Sequence, residues 1–80
     1  MKKVKVLRVI VLYNKVTEVF EREIVLDDFD LMLMKRIFNV HNEDPLMYDC
    51  YKVDEPKTQL FPKIKFDLNN YHYYLECHTI

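Results

Sequence analysis

Glycine is absent from this sequence of 80 residues, although a chain of this length would ordinarily contain about five. Turns that need a positive φ angle must therefore use another residue, and asparagine is the next most tolerant of that conformation. The absence also excludes the glycine-rich loops with which nucleotide-binding enzymes approach phosphate groups. The asparagines that mark the predicted turns are Asn14, Asn39, Asn42, Asn69 and Asn70.

Long hydrophobic runs are also missing, and no apolar stretch reaches the roughly 18 residues that a membrane span needs. The start of the sequence carries no small-residue cleavage site of a signal peptide, so we expect a cytoplasmic protein that does not enter a membrane. Twelve basic and thirteen acidic residues give a net charge of −1, which argues against direct binding of nucleic acid. A hydrophobic content of 50% excludes intrinsic disorder, and the length predicts a single domain over residues 1–80.

Cysteine is sparse, since Cys50 and Cys77 are the only two in the sequence. Two cysteines so far apart are too few for a disulfide scaffold, and free thiols are expected. His41, His72 and His78 could add metal ligands, but the sequence contains no Cys-x-x-Cys or His-x-x-x-His pair. We therefore expect no disulfide, no metal and no cofactor.

The first quarter of the chain predicts a β-hairpin. Residues 4–13 are nearly all β-branched or aliphatic, which favours a central strand. Residues 14–17 form a turn, and the alternating residues 18–26 then predict a second, antiparallel strand. The alternation directs an apolar set toward the core and an acidic pair outward: Phe20, Ile24 and Leu26 inward, Glu21 and Glu23 outward.

A short helix is predicted over residues 29–39. Asp27 and Asp28 favour an N-cap at its start, Asp30 adds negative charge in the first turn, and Asn39 is the predicted C-cap. The apolar residues at helical spacing are Leu31, Met34, Ile37 and Phe38. We interpret Met32 and Met34 as core residues rather than as a binding surface.

The rest of the chain predicts two further strands. Residues 48–54 form the third strand, and the segment between Pro56 and Pro62 has room for one helical turn. Residues 64–68 are extended at best, and residues 71–79 form the last strand. The resulting order, β-β-α-β-β, predicts an α+β fold: a four-stranded antiparallel sheet with one helix on one face.

The outward positions of these strands predict an acidic face that also carries an aromatic ring. Such a face suits a basic protein partner, or the mimicry of nucleic acid, although an ordinary solvated sheet surface is the alternative. The predicted partner-binding residues are Glu21, Glu23, Asp49, Cys50, Asp54, Glu55, Tyr74 and Glu76. The cations gather elsewhere, at Lys2, Lys3, Lys5, Lys35, Arg36, Lys57, Lys63 and Lys65.

An enzymatic alternative rests on His72, Glu76 and His78. These side chains share one face of the predicted last strand, about 7 Å apart at each two-residue step. Two imidazoles and a carboxylate could perform acid–base chemistry on RNA. Because the strand offers no neighbouring lysine and the sequence offers no glycine for phosphate approach, we favour an exposed strand face and assign no catalytic residue.

The order of several short motifs resembles that of the cloacin immunity family, small inhibitors of nuclease bacteriocins. The matching segments are Tyr13-Asn14-Lys15-Val16-Thr17-Glu18-Val19-Phe20 for the first hairpin, Met34 to Val40 for the helix and its apolar continuation, Asp44-Pro45, Cys50 to Val53 for the third strand, Leu60-Phe61-Pro62, Phe66-Asp67-Leu68, and Tyr71 to Glu76 for the closing strand. The similarity extends in order from about residue 6 to residue 78. The helix departs from the family in carrying Phe38-Asn39 instead of Leu-Gly, and the chain is less acidic.

The resemblance implies an immunity protein, of the kind found also in polymorphic and contact-dependent toxin systems. Such a protein binds the C-terminal nuclease domain of a toxin, most often an RNase, and neutralises it by stoichiometric inhibition without being an enzyme. We expect a monomer or a weak homodimer. The alternatives are a small RNA-acting hydrolase that uses His72, Glu76 and His78, and a structural homodimer joined through the apolar side of the first strand.

Overall fold

The computed structural model describes residues 6–79 and confirms the predicted α+β architecture, a four-stranded antiparallel sheet with one short helix. The elements in chain order are β1 (Val6–Asn14), β2 (Phe20–Val25), α1 (Leu31–Ile37), β3 (Tyr51–Lys52), a 3₁₀ helix (Glu55–Leu60) and β4 (Tyr71–Thr79). The predicted start of the first strand at residues 4 and 5, and the predicted cations Lys2, Lys3 and Lys5, lie outside the described residues.

The strands are ordered β2-β1-β4-β3, and every neighbouring pair is antiparallel. β1 therefore lies in the centre of the sheet, as its continuous apolar sequence predicts. Four successive residues of β1, Val9 to Leu12, are buried, so that strand is shielded on both faces of the sheet. β4 is the second internal strand, and its limits agree with the predicted residues 71–79.

The main core lies on one side of the sheet, between the strands and the helical segments. Ile10 and Leu12 of β1 point to this side, and Tyr73 and Leu75 of β4 pack beside them. The buried residues of this cluster are Ile10, Leu12, Met34, Phe38, Met47, Val53, Phe61, Tyr73 and Leu75. We call this side of the sheet the core side.

Helix α1 is shorter than predicted at both ends. Asp30 is the N-cap, and its Oδ1 accepts a hydrogen bond from the Leu33 amide at 3.1 Å, so the helix begins after it. Phe38 is the C-cap, and Asn39 follows in the left-handed region with φ 51°. Met34 is buried, whereas Met32 is 73% exposed, so the prediction of a core position is wrong for Met32. In a helix of seven residues, Met32 falls on the side turned away from the sheet.

The chain forms its turns without glycine in two ways. Asn14 keeps a negative φ and uses its side chain, whose Oδ1 accepts hydrogen bonds from the amides of Val16 and Thr17 at 2.9 and 3.0 Å. Elsewhere the backbone itself turns left-handed. The residues with positive φ are Glu18, Asn39 and Met47, so asparagine takes this conformation at one position only among those described.

The third strand is much shorter than the predicted residues 48–54. Only Tyr51 and Lys52 pair with β4, although the amide of Val53 still donates to the Tyr73 carbonyl at 2.8 Å. Pro56 lies near the start of the 3₁₀ helix and Asp54 is its N-cap, so the chain leaves the sheet there. Neither helical segment within residues 6–79 is long and apolar enough to span a membrane.

Candidate partner-binding face

The side of the sheet opposite the core side, here called the outer face, carries the predicted acidic and aromatic side chains. The register fixes its members, because residues directly opposite in an antiparallel pair share a face. Val9 is opposite Glu76 and Val25, and Val11 is opposite Tyr74 and Glu23. The strand residues of the outer face are Leu7, Val9, Val11, Tyr13, Phe20, Glu23, Val25, Lys52, His72, Tyr74, Glu76 and His78.

A chain of polar contacts crosses this face from one side of the sheet to the other. His78 Nδ1 lies 3.6 Å from a carboxylate oxygen of Glu23, and His78 Nε2 lies 3.2 Å from one of Glu76. The thiol of Cys50 donates to the other Glu76 oxygen at 3.6 Å. We call Glu23, His78, Glu76 and Cys50 the polar chain. It links β2 to β4 and to the segment before β3, so it passes over β1.

The polar chain explains why two valines of β1 are buried although they lie on the outer face. Val9 has no solvent exposure and Val11 has almost none, although both point away from the main core. Glu23 and His78 come from the strands on either side of β1 and contact each other, so their apolar stems lie across Val9. The outer face thus has a small apolar floor beneath a polar and acidic surface.

The negative charge of Glu76 changes the titration of its neighbours. Partial burial, then the charge of Glu76 and the hydrogen bond to it, raise the pKa of the Cys50 thiol to about 11. Burial and the same carboxylate also raise the pKa of Tyr13. Both groups are therefore neutral near pH 7, and the face carries its charge on carboxylates.

An aromatic cluster adjoins the polar chain. The ring of Tyr13 meets that of Phe20 edge to face, with centroids 6.1 Å apart, and meets that of Tyr74 at 5.8 Å. The cluster therefore joins β2, β1 and β4. Beside it lies an open recess of about 330 Å³, whose lining residues are Tyr13, Glu18, Cys50, His72, Tyr74 and Glu76.

The inward position predicted for Phe20 is wrong. The β1–β2 pairing shifts between Leu12 and Tyr13, which oppose Arg22 and Phe20, and Glu21 is the extra residue of a β-bulge. An extra residue reverses the facing of everything beyond it. Phe20 therefore joins the outer face, where it is 53% exposed.

The loop before β3 is ordered by two charged side chains. Asp44 accepts hydrogen bonds from the Tyr48 and Asp49 amides, at 2.8 and 3.1 Å, and from the Tyr51 hydroxyl. Burial alone would raise the pKa of Asp44, but these hydrogen bonds outweigh it and lower the pKa below its ordinary value. Burial and the same carboxylate raise the pKa of Tyr51. Asp44 thus fixes the direction in which Asp49 and the next residue leave the loop.

Arg8 holds the same loop from the sheet. Its guanidinium donates to the carbonyls of Met47 and Leu46 at 2.6 and 2.7 Å, and it lies 4.4 Å from the centre of the Phe29 ring. Guanidinium is suited to this because its planar nitrogens can bond two acceptors while its face stacks on an aromatic ring. This cation lies on the core side and is not available to the outer face.

The eight predicted partner-binding residues separate into two groups. Glu23, Cys50, Tyr74 and Glu76 come together on the outer face, Glu21 lies in the adjoining bulge, and Asp49 is exposed beside Cys50. Asp54 and Glu55 lie instead at the start of the 3₁₀ helix, where Asp54 pairs with Lys57 at 3.1 Å. Strand alternation predicted that Asp54 would lie on the outer face with Glu76. That prediction is wrong, because β3 ends at Lys52.

Sequence reasoning missed several members of this face. Val9 and Val11 were detectable only as part of the continuous apolar run of β1. The facing of Phe20 had no local signal, since a bulge depends on the pairing. Lys52 is the one strand residue described on this face that carries a permanent positive charge, and its alternation with Tyr51 correctly predicts that it points away from the core.

The histidines considered for catalysis are not brought together. Glu76 and His78 are in contact, but His72 is opposite Tyr13 at the far end of β4. Six residues of extended strand place the two imidazoles about 20 Å apart. General acid and base must each reach the same reacting bond, so the trio does not form one acid–base site.

The two cysteines are both free and lie on opposite sides of the sheet. Cys50 contacts Glu76 on the outer face, whereas Cys77 is opposite Arg8 on the core side. Within residues 6–79, no group of three or more histidine, cysteine, aspartate or glutamate side chains is arranged to hold a metal ion.

These features define a small α+β domain with an acidic and aromatic sheet face. The chain belongs to the family described as Domain of unknown function (DUF7683), whose model matches residues 7–76. The matched segment runs from β1 into β4 and so includes the whole polar chain except His78. No curated protein and no solved structure matches the chain.

Proposed function

We propose that this protein is an immunity protein that binds a cognate nuclease toxin domain, an RNase, through its outer face. Inhibition is stoichiometric, and it blocks the active site or the RNA-binding groove of the toxin in the cytoplasm. The resemblance of the hairpin, the helix and the closing strand to the cloacin immunity family supports this class of function. The chemistry of the outer face supports the class of partner.

The observation that carries the proposal is the combination of carboxylates and aromatic rings on the centre of the sheet. Glu23 and Glu76 are positioned by His78, and the rings of Tyr13 and Tyr74 lie next to them. Aromatic residues dominate the binding energy of protein interfaces, and charged groups set the rate of association and the choice of partner. Tyr13, Tyr74 and Glu76 lie on the internal strands β1 and β4, so little ordering of their backbone is needed on binding, whereas Glu23 lies on the edge strand β2.

The charge distribution favours a basic partner. Lys35 and Arg36 lie in the last turn of α1, on the core side of the sheet, while Glu23 and Glu76 lie on the outer face. Enzymes that cleave RNA bind its phosphates with basic side chains, so their substrate grooves are positively charged. A carboxylate face of this kind can occupy such a groove in place of RNA.

Co-expression with a candidate nuclease toxin domain, sought in the genes next to this one, tests the proposal by growth. Glu23→Lys and Glu76→Lys, singly and together, replace attraction by repulsion at a basic partner. Close interfacial charge pairs couple by about 1.5–7 kcal/mol, so the double variant should lose protection. Glu43→Lys is the matched control, because Glu43 is an exposed carboxylate in the loop before β3. Circular dichroism and thermal unfolding establish that each variant is folded.

Loss of protection with the outer-face variants, and full protection with Glu43→Lys, is the expected result. His72→Ala should weaken protection less than the charge reversals, because it removes no carboxylate, although His72 lines the recess beside the polar chain. Full protection by the folded double variant would refute binding through the outer face. Loss of protection with His72→Ala, together with full protection by the charge-reversed double variant, would favour a hydrolase instead.

A further inference from the structure

The sheet presents one long free edge. β2 pairs with β1 on one side only, and the sheet order places it at the end. It has six residues, whereas the opposite edge strand, β3, has two. No strand within residues 6–79 occupies the other side of β2. An edge of this length presents backbone N–H and C=O groups that can pair with an added strand.

Exposed apolar side chains lie along this edge and could pack against an added strand. Val19, Phe20 and Val25 are all about half exposed or more along its length. At the C-terminal end of β2, a groove of about 330 Å³ lies between residues 24–28 and residues 60–64. Its walls include Ile24, Leu26, Phe61 and Ile64, which offer an apolar surface to a side chain arriving along the edge.

The charges beside the edge are mainly negative. Glu21 and Glu23 lie in the strand itself, and Asp27 and Asp28 border the groove. The opposing charges are Arg22 in the strand and Lys63 in the groove wall. A segment that pairs with this edge should therefore bind most tightly if its own side chains are positively charged.

A second copy of the chain is a poor occupant of this edge. Antiparallel self-pairing centred on Glu23 would place Glu23 opposite Glu23, and self-pairing centred on Arg22 would place Arg22 opposite Arg22. These are the registers centred on the middle of the strand, and like charges directly opposite are destabilising.

We propose that β2 binds an extended, basic segment of a partner protein by β-strand addition. Alternation in the segment puts lysine or arginine over the outer face beside Glu23, and apolar side chains over the core side beside Ile24 and into the groove. This site adjoins the polar chain and shares Glu23 with it, but it does not depend on the partner being a toxin.

Titration with synthetic peptides tests this inference without a toxin. The probe is acetyl-Lys-Val-Lys-Ile-Lys-Val-Lys-amide, whose lysines all fall on one face of a strand. One control peptide replaces every lysine by glutamate, and the other replaces the central isoleucine by proline. Binding is followed by NMR, together with amide hydrogen exchange of the protein.

We expect the lysine peptide to slow hydrogen exchange of β2 amides that are free in the unbound protein. The proline peptide should bind about tenfold more weakly, because it loses a ladder hydrogen bond and distorts its neighbours. Glu23→Gln should weaken the lysine peptide roughly twofold to fivefold, the effect of one cross-strand charge pair. Glu43→Gln, the matched control, should leave it unchanged.

Four results would overturn the inference. Equal binding of the proline and lysine peptides would mean attraction by charge alone, and equal binding of the glutamate peptide would remove the basic specificity. No change in exchange at β2 with saturating lysine peptide would place the site elsewhere. Protection of the same amides in the free protein, together with a dimeric mass, would identify a second copy as the occupant.

Discussion

Phe20 lies directly opposite Tyr13 in the β1–β2 ladder, and their rings meet edge to face on the outer side of the sheet. The pair exists because Glu21 is inserted as a bulge. Without that extra residue, Phe20 would face the core beside Ile24, as simple alternation predicts. The bulge therefore transfers one large aromatic side chain from the core to the outer face, where it can contribute to binding.

Replacing Phe20 should accordingly cost little stability. We expect Phe20→Ala to lower the free energy of unfolding by about 1 kcal/mol, mainly through loss of the aromatic pair with Tyr13. Phe61→Ala is the matched comparison, since Phe61 is only 6% exposed, and should cost about 3–5 kcal/mol. Urea unfolding of both variants measures the difference. Equal losses would show that Phe20 is a core residue.

The two methionines of α1 should respond differently to the same substitution. Met34 is buried in the core, so Met34→Ala should cost about 2–5 kcal/mol through lost burial and a residual cavity. Met32 is largely exposed, so Met32→Ala should change stability by no more than about 0.5 kcal/mol. Thermal and urea unfolding provide the measurement. A large loss with Met32→Ala would contradict this placement of the helix.

Asp44 should give the protein an acid-sensitive contribution to stability. Its pKa is lowered in the folded state, so the contribution is present above the unfolded pKa, near 3.9, and is lost as the pH falls through the lower folded pKa. Asp44→Asn removes the charge and keeps an acceptor for only one of the two amides, because the Tyr48 and Asp49 amides bond different carboxylate oxygens, so it should cost about 1–3 kcal/mol at neutral pH. Urea unfolding measured from about pH 7 to about pH 2 should show that the free energies of unfolding of the parent protein and Asp44→Asn approach each other at the acid end.

The control for this prediction is Tyr51→Phe, which removes the hydroxyl that donates to Asp44. Losing that hydrogen bond should bring the Asp44 pKa closer to its ordinary value, so the acid loss of stability should begin at a higher pH. A constant difference between the parent protein and Asp44→Asn across the whole range would contradict the lowered pKa.

Cys50 should react slowly with alkylating reagents although the residue is exposed. Its pKa of about 11 leaves little thiolate near neutral pH, and the thiolate is the reactive form. Glu76→Gln removes the charge that helps to raise this pKa, so alkylation at about pH 8 should become roughly threefold to tenfold faster. The rates are compared in a Cys77→Ser background. An unchanged rate in Glu76→Gln, or an equal increase in Glu43→Gln, would contradict the contact between Glu76 and Cys50.

Local patterns in the sequence were sufficient for much of the fold. The alternation of residues 71–79 predicted β4 to its limits, because a strand with one buried face must keep a strict period of two. The central position of β1 and the four-stranded antiparallel sheet also followed from short-range signals, whereas the capping residue is Asp30 and not the predicted Asp27 or Asp28. The sequence likewise predicted that Glu23, Tyr74 and Glu76 would be turned away from the core.

Long-range pairing decided the remainder. The number of residues that pair with a neighbouring strand sets the length of β3, the position of Asp54 and the facing of Phe20. The periodicity of one segment cannot predict that number, because it depends on the partner strand. The polar chain shows the same limit, because Glu23 and His78 belong to strands that become neighbours of β1 only in the folded sheet. The sequence by itself thus determined the outward facing of regularly alternating residues such as Glu23, Tyr74 and Glu76. The tertiary structure determined the facing of Phe20 beyond the bulge and which side chains touch, since both require the strand order and register that only the whole fold provides.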